Sequence, residues 1–266
     1  MNFTLRDAAI NGSTMSYREG GSGPPLLFLH GAGGAESALP FLLPFTDRFR
    51  VIVPDHPGFG RSPDPAWLDN IHDAAYAYLD FLEALDLRGA HVVGTSLGGW
   101  IAIEIAIRDR TRLASLTLVA AAGIRPGDIP TGDLFMWSPE DRVRQLVASA
   151  AFADRILALP QTAAQAEVAL RNHFTTAKLA WEPRFFDPNL EKWLHRLALP
   201  TQVIWGDQDR LFPVEYGRKL AALIPGASFT VIEDCGHLPQ IEQSDRLTEL
   251  VLAHVARAAA GGAAAA

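Results

Sequence analysis

HVVGTSLGGW, residues 91–100, carries an apolar run into a serine set among glycines, and its reading decides the fold. Glycine weakens strand and helix alike, so Gly94, Gly98 and Gly99 must be useful for the Cβ atoms they lack. A strand that turns sharply into a helix needs that space. Such a turn strains the backbone of Ser96, draws strand and helix together, and pushes the hydroxyl out at the C-terminal end of the strand. It also leaves the amide of Leu97, in the first turn of the helix, without an intrahelical partner.

Outward from this stretch, short apolar or β-branched runs alternate with helical segments. The runs are PPLLFLH (24–30), RVIVPD (50–55), LASLTLVAA (113–121), TQVIW (201–205) and SFTVIE (228–233). Helices are expected near 37–46, 70–86, 97–109, 214–224 and 245–258. Nearly continuous apolar strands fit a parallel sheet covered on both faces. The expectation is an α/β fold with a mostly parallel, doubly wound sheet. LRDAAI and STMSYRE, joined by Asn11-Gly12, read as an antiparallel hairpin at its edge.

Between about 125 and 197 the alternation stops. Pro126, Pro130, Pro160, Pro183 and Pro188 punctuate helical pieces at 140–159 and 162–174, which reads as an insertion covering one end of the sheet. The expected layout is a core of 1–124 and 198–260, a helical cap of 125–197, and a frayed, low-complexity tail at 261–266.

The chain has 266 residues and a net charge of −7. That charge argues against electrostatic binding of nucleic acid or an anionic membrane and leaves a small molecule or another protein as partner, with a homo-oligomer open. A single cysteine, Cys235, excludes an internal disulfide and a multi-cysteine zinc site. No two of the eight histidines form an HExxH-type pair, so no metal is expected. The N-terminus lacks a signal-peptide pattern and no long uncharged run follows, which makes a cytoplasmic protein the simplest expectation.

An alcohol is a weak nucleophile at neutral pH, so Ser96 needs a base, and the base a carboxylate to orient it. In a strand–serine–helix arrangement these follow later in the chain, the acid before the histidine. VIWGDQDRLFP (203–213) offers Asp207 and Asp209 just past one strand, and TVIEDCGHLPQIE (230–242) offers His237 past the next. An oxyanion would be held by the amide of Leu97 and one from His30-Gly31-Ala32-Gly33-Gly34: Ala32 first, Gly33 second. His30 itself reads as a structural histidine. A dinucleotide loop is excluded because Glu36 stands where the third glycine of GxGxxG belongs.

HGAGG (30–34), DHPGFGRS (55–62), GTSLGG (94–99), WGDQD (205–209) and GHLPQIE (236–242) together resemble the landmarks of the α/β-hydrolase-fold serine hydrolases, nearly end to end. Within that superfamily the chain is similar to carboxylesterases, enol-lactonases and meta-cleavage-product C–C hydrolases. The resemblance implies a Ser96–His237–Asp209 triad, because relatives close a G-x-x-D turn with the acid. It implies acyl transfer to water without cofactor or metal, on a small and largely apolar ester or lactone. C–C hydrolases usually carry asparagine before the nucleophile and tryptophan after the histidine; Thr95 and Leu238 stand there, which sets C–C hydrolysis second. A non-catalytic binding protein on the same scaffold is a further alternative. Aromatics of the expected cap, from Phe135 and Trp137 to Phe186 and Trp193, either line a substrate chamber or pack the cap onto the core, packing being favoured for most. Arg171 or Arg184 could meet a substrate carboxylate.

Overall fold

The N-terminal hairpin opens an eight-stranded sheet. In the computed structural model, which describes residues 3–263, β1 (Thr4–Ile10) and β2 (Ser13–Gly20) pair antiparallel. Asn11 and Gly12 join them with φ of 46° and 72°, the left-handed pair that a two-residue hairpin turn requires. The other strands are β3 (Pro25–Leu29), β4 (Arg50–Pro54), β5 (Ala90–Thr95), β6 (Leu113–Val119), β7 (Thr201–Gly206) and β8 (Ser228–Ile232). The order is β1-β2-β4-β3-β5-β6-β7-β8. β2 runs antiparallel to β4, and β3 to β8 are mutually parallel.

The helices are α1 (Leu39–Leu42), α2 (Ile71–Ala84), α3 (Leu97–Arg108), α4 (Pro139–Leu146), α5 (Ala150–Leu157), α6 (Ala163–Ala180), α7 (Val214–Leu223), α8 (Pro239–Glu242) and α9 (Ser244–Ala263). Strand alternation divides the core between the two faces of the sheet. Leu27, Leu29, Val92, Leu116, Leu118 and Val203 pack with α2, α3 and α7. Leu26, Phe28, Val93, Val119 and Ile204 pack with Phe41 of α1 and Leu247 and Val251 of α9. This is the doubly wound arrangement expected, and it gathers the C-terminal ends of β3, β5, β7 and β8 along one rim.

Some expected boundaries need correction. The stretch 140–159 is two helices, because Val147 is extended and the Ser149 side chain caps α5 by accepting the Phe152 amide. The segment expected near 37–46 is α1 flanked by two 3-10 turns. The helix expected at 162–174 runs on to Ala180. α9 reaches Ala263, past the expected end at 258, so the tail expected from 261 does not begin there. Ala259 and Ala260 prolong the helix at little cost, and its last turn passes through Gly261 and Gly262. Residues 264–266 of that expected tail lie outside the described residues. No helix among the described residues is long and apolar enough to cross a membrane.

Candidate active site

Ser96 sits between β5 and α3 with φ 52° and ψ −115°, a strained backbone for a residue with a side chain. Its amide donates to the Val119 carbonyl at 2.9 Å, and its carbonyl accepts from Trp100 and Ala122, both at 3.1 Å. β6 and α3 together hold the strained turn. The glycines serve close approach: a Cβ on Gly98 would stand 2.2 Å from the Leu29 carbonyl oxygen, and one on Gly94 2.6 Å from that of Gly98. α3 therefore rests directly on the ends of β3 and β5.

Asp209 follows β7 and His237 follows β8, and the structure brings both to Ser96. His237 Nε2 lies 2.9 Å from Ser96 Oγ, and its Nδ1 lies 2.8 Å from Asp209 Oδ2. All three are buried. The other carboxylate oxygen of Asp209 accepts from the amides of Leu211 and Phe212, each at 2.9 Å, so the acid is oriented from both sides. Phe212 also meets the His237 ring edge-on at 5.5 Å. Asp207 faces elsewhere: its Oδ1 accepts the Cys235 amide at 3.1 Å and shapes the loop before His237. Cys235 is fully buried, and burial pushes its thiol well above the ordinary range.

The loop after β3 closes on itself when the Gly34 amide donates to the Gly31 carbonyl at 3.1 Å. That turn leaves the amides of Ala32 and Gly33 outside its own hydrogen bond. Gly31 lies against Ser96, since a Cβ there would stand 3.2 Å from Ser96 Cβ. Asn172 of α6, which sequence reasoning missed, fastens this loop: Nδ2 donates to the Gly33 carbonyl at 3.1 Å while Oδ1 accepts the Gly60 amide at 2.9 Å. His30 stacks on His56 at 3.7 Å, and its Nε2 accepts the His56 amide at 3.1 Å. His56 Nε2 in turn donates to the His30 carbonyl at 2.8 Å, and the Tyr78 hydroxyl meets its Nδ1. The amide that His30 Nε2 accepts needs that ring neutral, and burial lowers the pKa of both rings. His30 is a structural histidine.

Two missed residues tie the segment between α4 and α5 to the loops of Asp209 and His237. Glu242 accepts the Gly236 amide through one oxygen and the Ala148 amide through the other, both at 2.7 Å. Burial raises its pKa, against the pull of those bonds. Arg210 donates to the Arg144 and Val147 carbonyls at 3.1 and 2.9 Å. The His237 amide donates to the Leu146 carbonyl at 2.8 Å.

A cavity of about 200 Å³ opens over Ser96 and His237. Gly31–Gly34, Leu134, Leu146, Leu211 and Leu238 line it, with Arg142, His173 and Gln240 as polar neighbours. The aromatics considered for a chamber wall are not among the lining residues. Phe135 stacks on Phe185 at 5.2 Å and meets Trp181 edge-on, the packing alternative. Arg171 donates to the Gly60 carbonyl at 3.2 Å, and Arg184 pairs with Asp133 while covering Trp181. Neither lines the cavity. His72, Glu104 and Asp187 cluster elsewhere closely enough to ligate an ion, but Arg108 already donates to Glu104 and lies 2.8 Å from His72 Nδ1.

The family model described as "Alpha/beta hydrolase family" matches residues 26–250. Lipase 1 of Psychrobacter immobilis is 29% identical, over 90% of this chain and 80% of its own length. The 2-hydroxymuconate semialdehyde hydrolase of Pseudomonas sp. strain CF600 is 31% identical over 92% of each chain. Among solved structures, a bacterial membrane phospholipase A is 25% identical, with a TM-score of 0.80 over 96% of this chain and 86% of that one.

Proposed function

The chain belongs to the alpha/beta hydrolase family, and from that premise we propose that it is a serine hydrolase of carboxylic esters or lactones, acting through an acyl-enzyme. One observation carries the proposal: the continuous line of hydrogen bonds from Ser96 Oγ through the His237 ring to Asp209.

In this mechanism Asp209 keeps the proton on His237 Nδ1, so that Nε2 presents a lone pair to the Ser96 hydroxyl. His237 takes that proton as Oγ attacks the substrate carbonyl. The amides of Leu97 and Ala32, with Gly33 as alternative to Ala32, hold the developing oxyanion; one such donor contributes about 3 kcal/mol in the transition state. His237 then protonates the departing alcohol, and later draws a proton from the water that releases the acid. Helices α4–α6 act as a cap over the cavity. Thr95 and Leu238 favour ester or lactone cleavage, and the likeness to a 2-hydroxymuconate semialdehyde hydrolase makes C–C hydrolysis the second reading.

A fluorophosphonate probe tests the assignment. Wild type labels at Ser96 and turns over 4-nitrophenyl butanoate, and Ser96→Ala does neither. Folded wild type that resists the probe would favour a binding protein. Faster turnover of a vinylogous 1,5-diketone than of any ester or lactone would favour the C–C reading.

A further inference from the structure

One side chain in the cavity wall is chemically out of place. Arg142, on α4, is half-buried, and its Nε is shut off from solvent without a hydrogen-bond partner. Neighbouring arginines are satisfied: Arg144 by Glu140 and Asp154, Arg184 by Asp133, Arg210 by two carbonyls. Arg142 forms no salt bridge among the described residues, and burial alone acts on it, lowering its pKa. Its positive charge therefore stands on the cavity wall without an acidic partner.

The surroundings indicate what completes it. The cavity that Arg142 lines contains Ser96 and His237, and no carboxylate lines it. His173 stands on the same wall; burial and the charge of Arg142 both lower its pKa, so it offers a neutral ring and not a counter-ion. Gln240, another polar lining residue, has its buried Oε1 equally unpartnered. These two orphan atoms therefore do not satisfy each other. Arg142 is a positive group on the wall of the space that a substrate fills, and a planar two-oxygen anion matches its fork.

We propose that Arg142 receives a carboxylate carried by the substrate, so that this enzyme prefers half-esters of dicarboxylic acids or esters of hydroxy acids. The proposal rests on the hydrolase reading above and names its substrate class. Arg142 is then a specificity residue, without a part in the bond-making steps.

The test compares matched substrate pairs in wild type, Arg142→Gln and Arg142→Lys. For an acid on the acyl side, mono-4-nitrophenyl adipate is set against 4-nitrophenyl hexanoate. For an acid on the alcohol side, 4-(butanoyloxy)benzoate is set against its neutral methyl ester. In wild type one pair favours the charged member by about 10- to 100-fold in kcat/KM, the range for a charge-assisted hydrogen bond in a half-buried site. In Arg142→Gln the ratio falls toward one, chiefly through KM; in Arg142→Lys it is intermediate. A wild-type ratio of one or less in both pairs overturns the proposal, as does a ratio that survives in Arg142→Gln. Calorimetric binding of adipate reads the same site without turnover: binding lost in Arg142→Gln supports the assignment even if every ester is inert, and equal binding refutes it. Inert esters would sink the hydrolase reading separately.

Discussion

Asp209→Asn separates the orienting role of the carboxylate from its bulk. Oδ1 of Asp209 accepts two amides and Oδ2 faces His237 Nδ1 at 2.8 Å. An asparagine must choose. With its oxygen toward Leu211 and Phe212, its NH₂ donates to Nδ1 and moves the ring proton to Nε2, where it faces Ser96 and cannot act as a base. The flipped amide would keep the productive tautomer but set NH₂ against two amide N–H groups, costing about 2 kcal/mol at roughly 1 kcal/mol each. That alone leaves about one molecule in thirty competent. Loss of the anion beside the developing imidazolium removes about 2 kcal/mol more, within the range for a hydrogen bond to a charge. The expected loss in kcat is about 1,000-fold, smaller than the roughly 10,000-fold lost when the triad aspartate of a serine protease is amidated. Steady-state hydrolysis of 4-nitrophenyl butanoate measures it, with urea unfolding to show that the fold persists. Asp207→Asn is the control: its amide oxygen still accepts the Cys235 N–H, so activity should stay within a few-fold. Asp209→Asn within 10-fold of wild type, or a larger loss from Asp207→Asn, would refute the reasoning.

Gly98→Ala drives a Cβ to 2.2 Å from the Leu29 carbonyl and 2.5 Å from that of His30; with backbone on both sides, it should destabilise by about 3 kcal/mol in urea unfolding, and an unshifted midpoint would contradict the packing. Asn172→Ala frees both the Gly33 carbonyl and the Gly60 amide, so kcat should fall about 10-fold, as expected when an oxyanion donor loses alignment, with KM little changed; a pure KM effect would count against it. Glu242→Gln sets an NH₂ against one of the two amides its carboxylate now accepts; hydrogen exchange at Gly236 and Ala148 should quicken while Ser96 still labels, and unchanged exchange would argue against the staple. Stability should depend on pH through His30 and His56, whose folded pKa values lie below the unfolded value of about 6.5. The unfolded chain binds the extra protons, so this stability is complete above pH 6.5 and is lost as pH falls below it, by up to about 1.4 kcal/mol per pH unit for each ring. A urea midpoint flat from pH 7.5 to 5.5 would exclude this linkage.

Much of the machinery was legible because its chemistry is written locally. The glycines around Ser96 mark a backbone approach that no other residue permits, and β5 and α3 announce themselves on either side. Asp209 and His237 follow β7 and β8, where apolar runs end. Asn172, Glu242 and Arg210 were missed for a common reason. Glu242 meets Ala148 across 94 positions, and Asn172 meets Gly33 across 139. Their partners are backbone atoms, which leave no trace in residue type. A faint signal did exist in α6, where Asn172, Thr175 and Thr176 form a buried polar set within a helix that such residues do not favour. A single sequence shows that such a face is polar but not what it touches. The break in 140–159 was hidden likewise, since Val147 is held extended beside carbonyls claimed by Arg210 and His237.

The bonds made by helices α4–α6 and their connections have one physical consequence. Asn172 holds the Gly31–Gly34 turn, while Leu146 and Ala148 are tied to the loop of His237 directly and through Glu242. Arg210 joins the same segment to the acid loop. The elements that close the cavity are thus bonded to the loops that carry Gly31–Gly34, His237 and Asp209. Any displacement of these elements on substrate entry would strain those bonds, and a substrate that fills the cavity would let them re-form. We therefore expect the geometry at Ser96 to respond to how well a substrate fills the cavity. That coupling would make a poorly fitting substrate lose kcat as well as affinity, the sign that binding energy is spent on alignment.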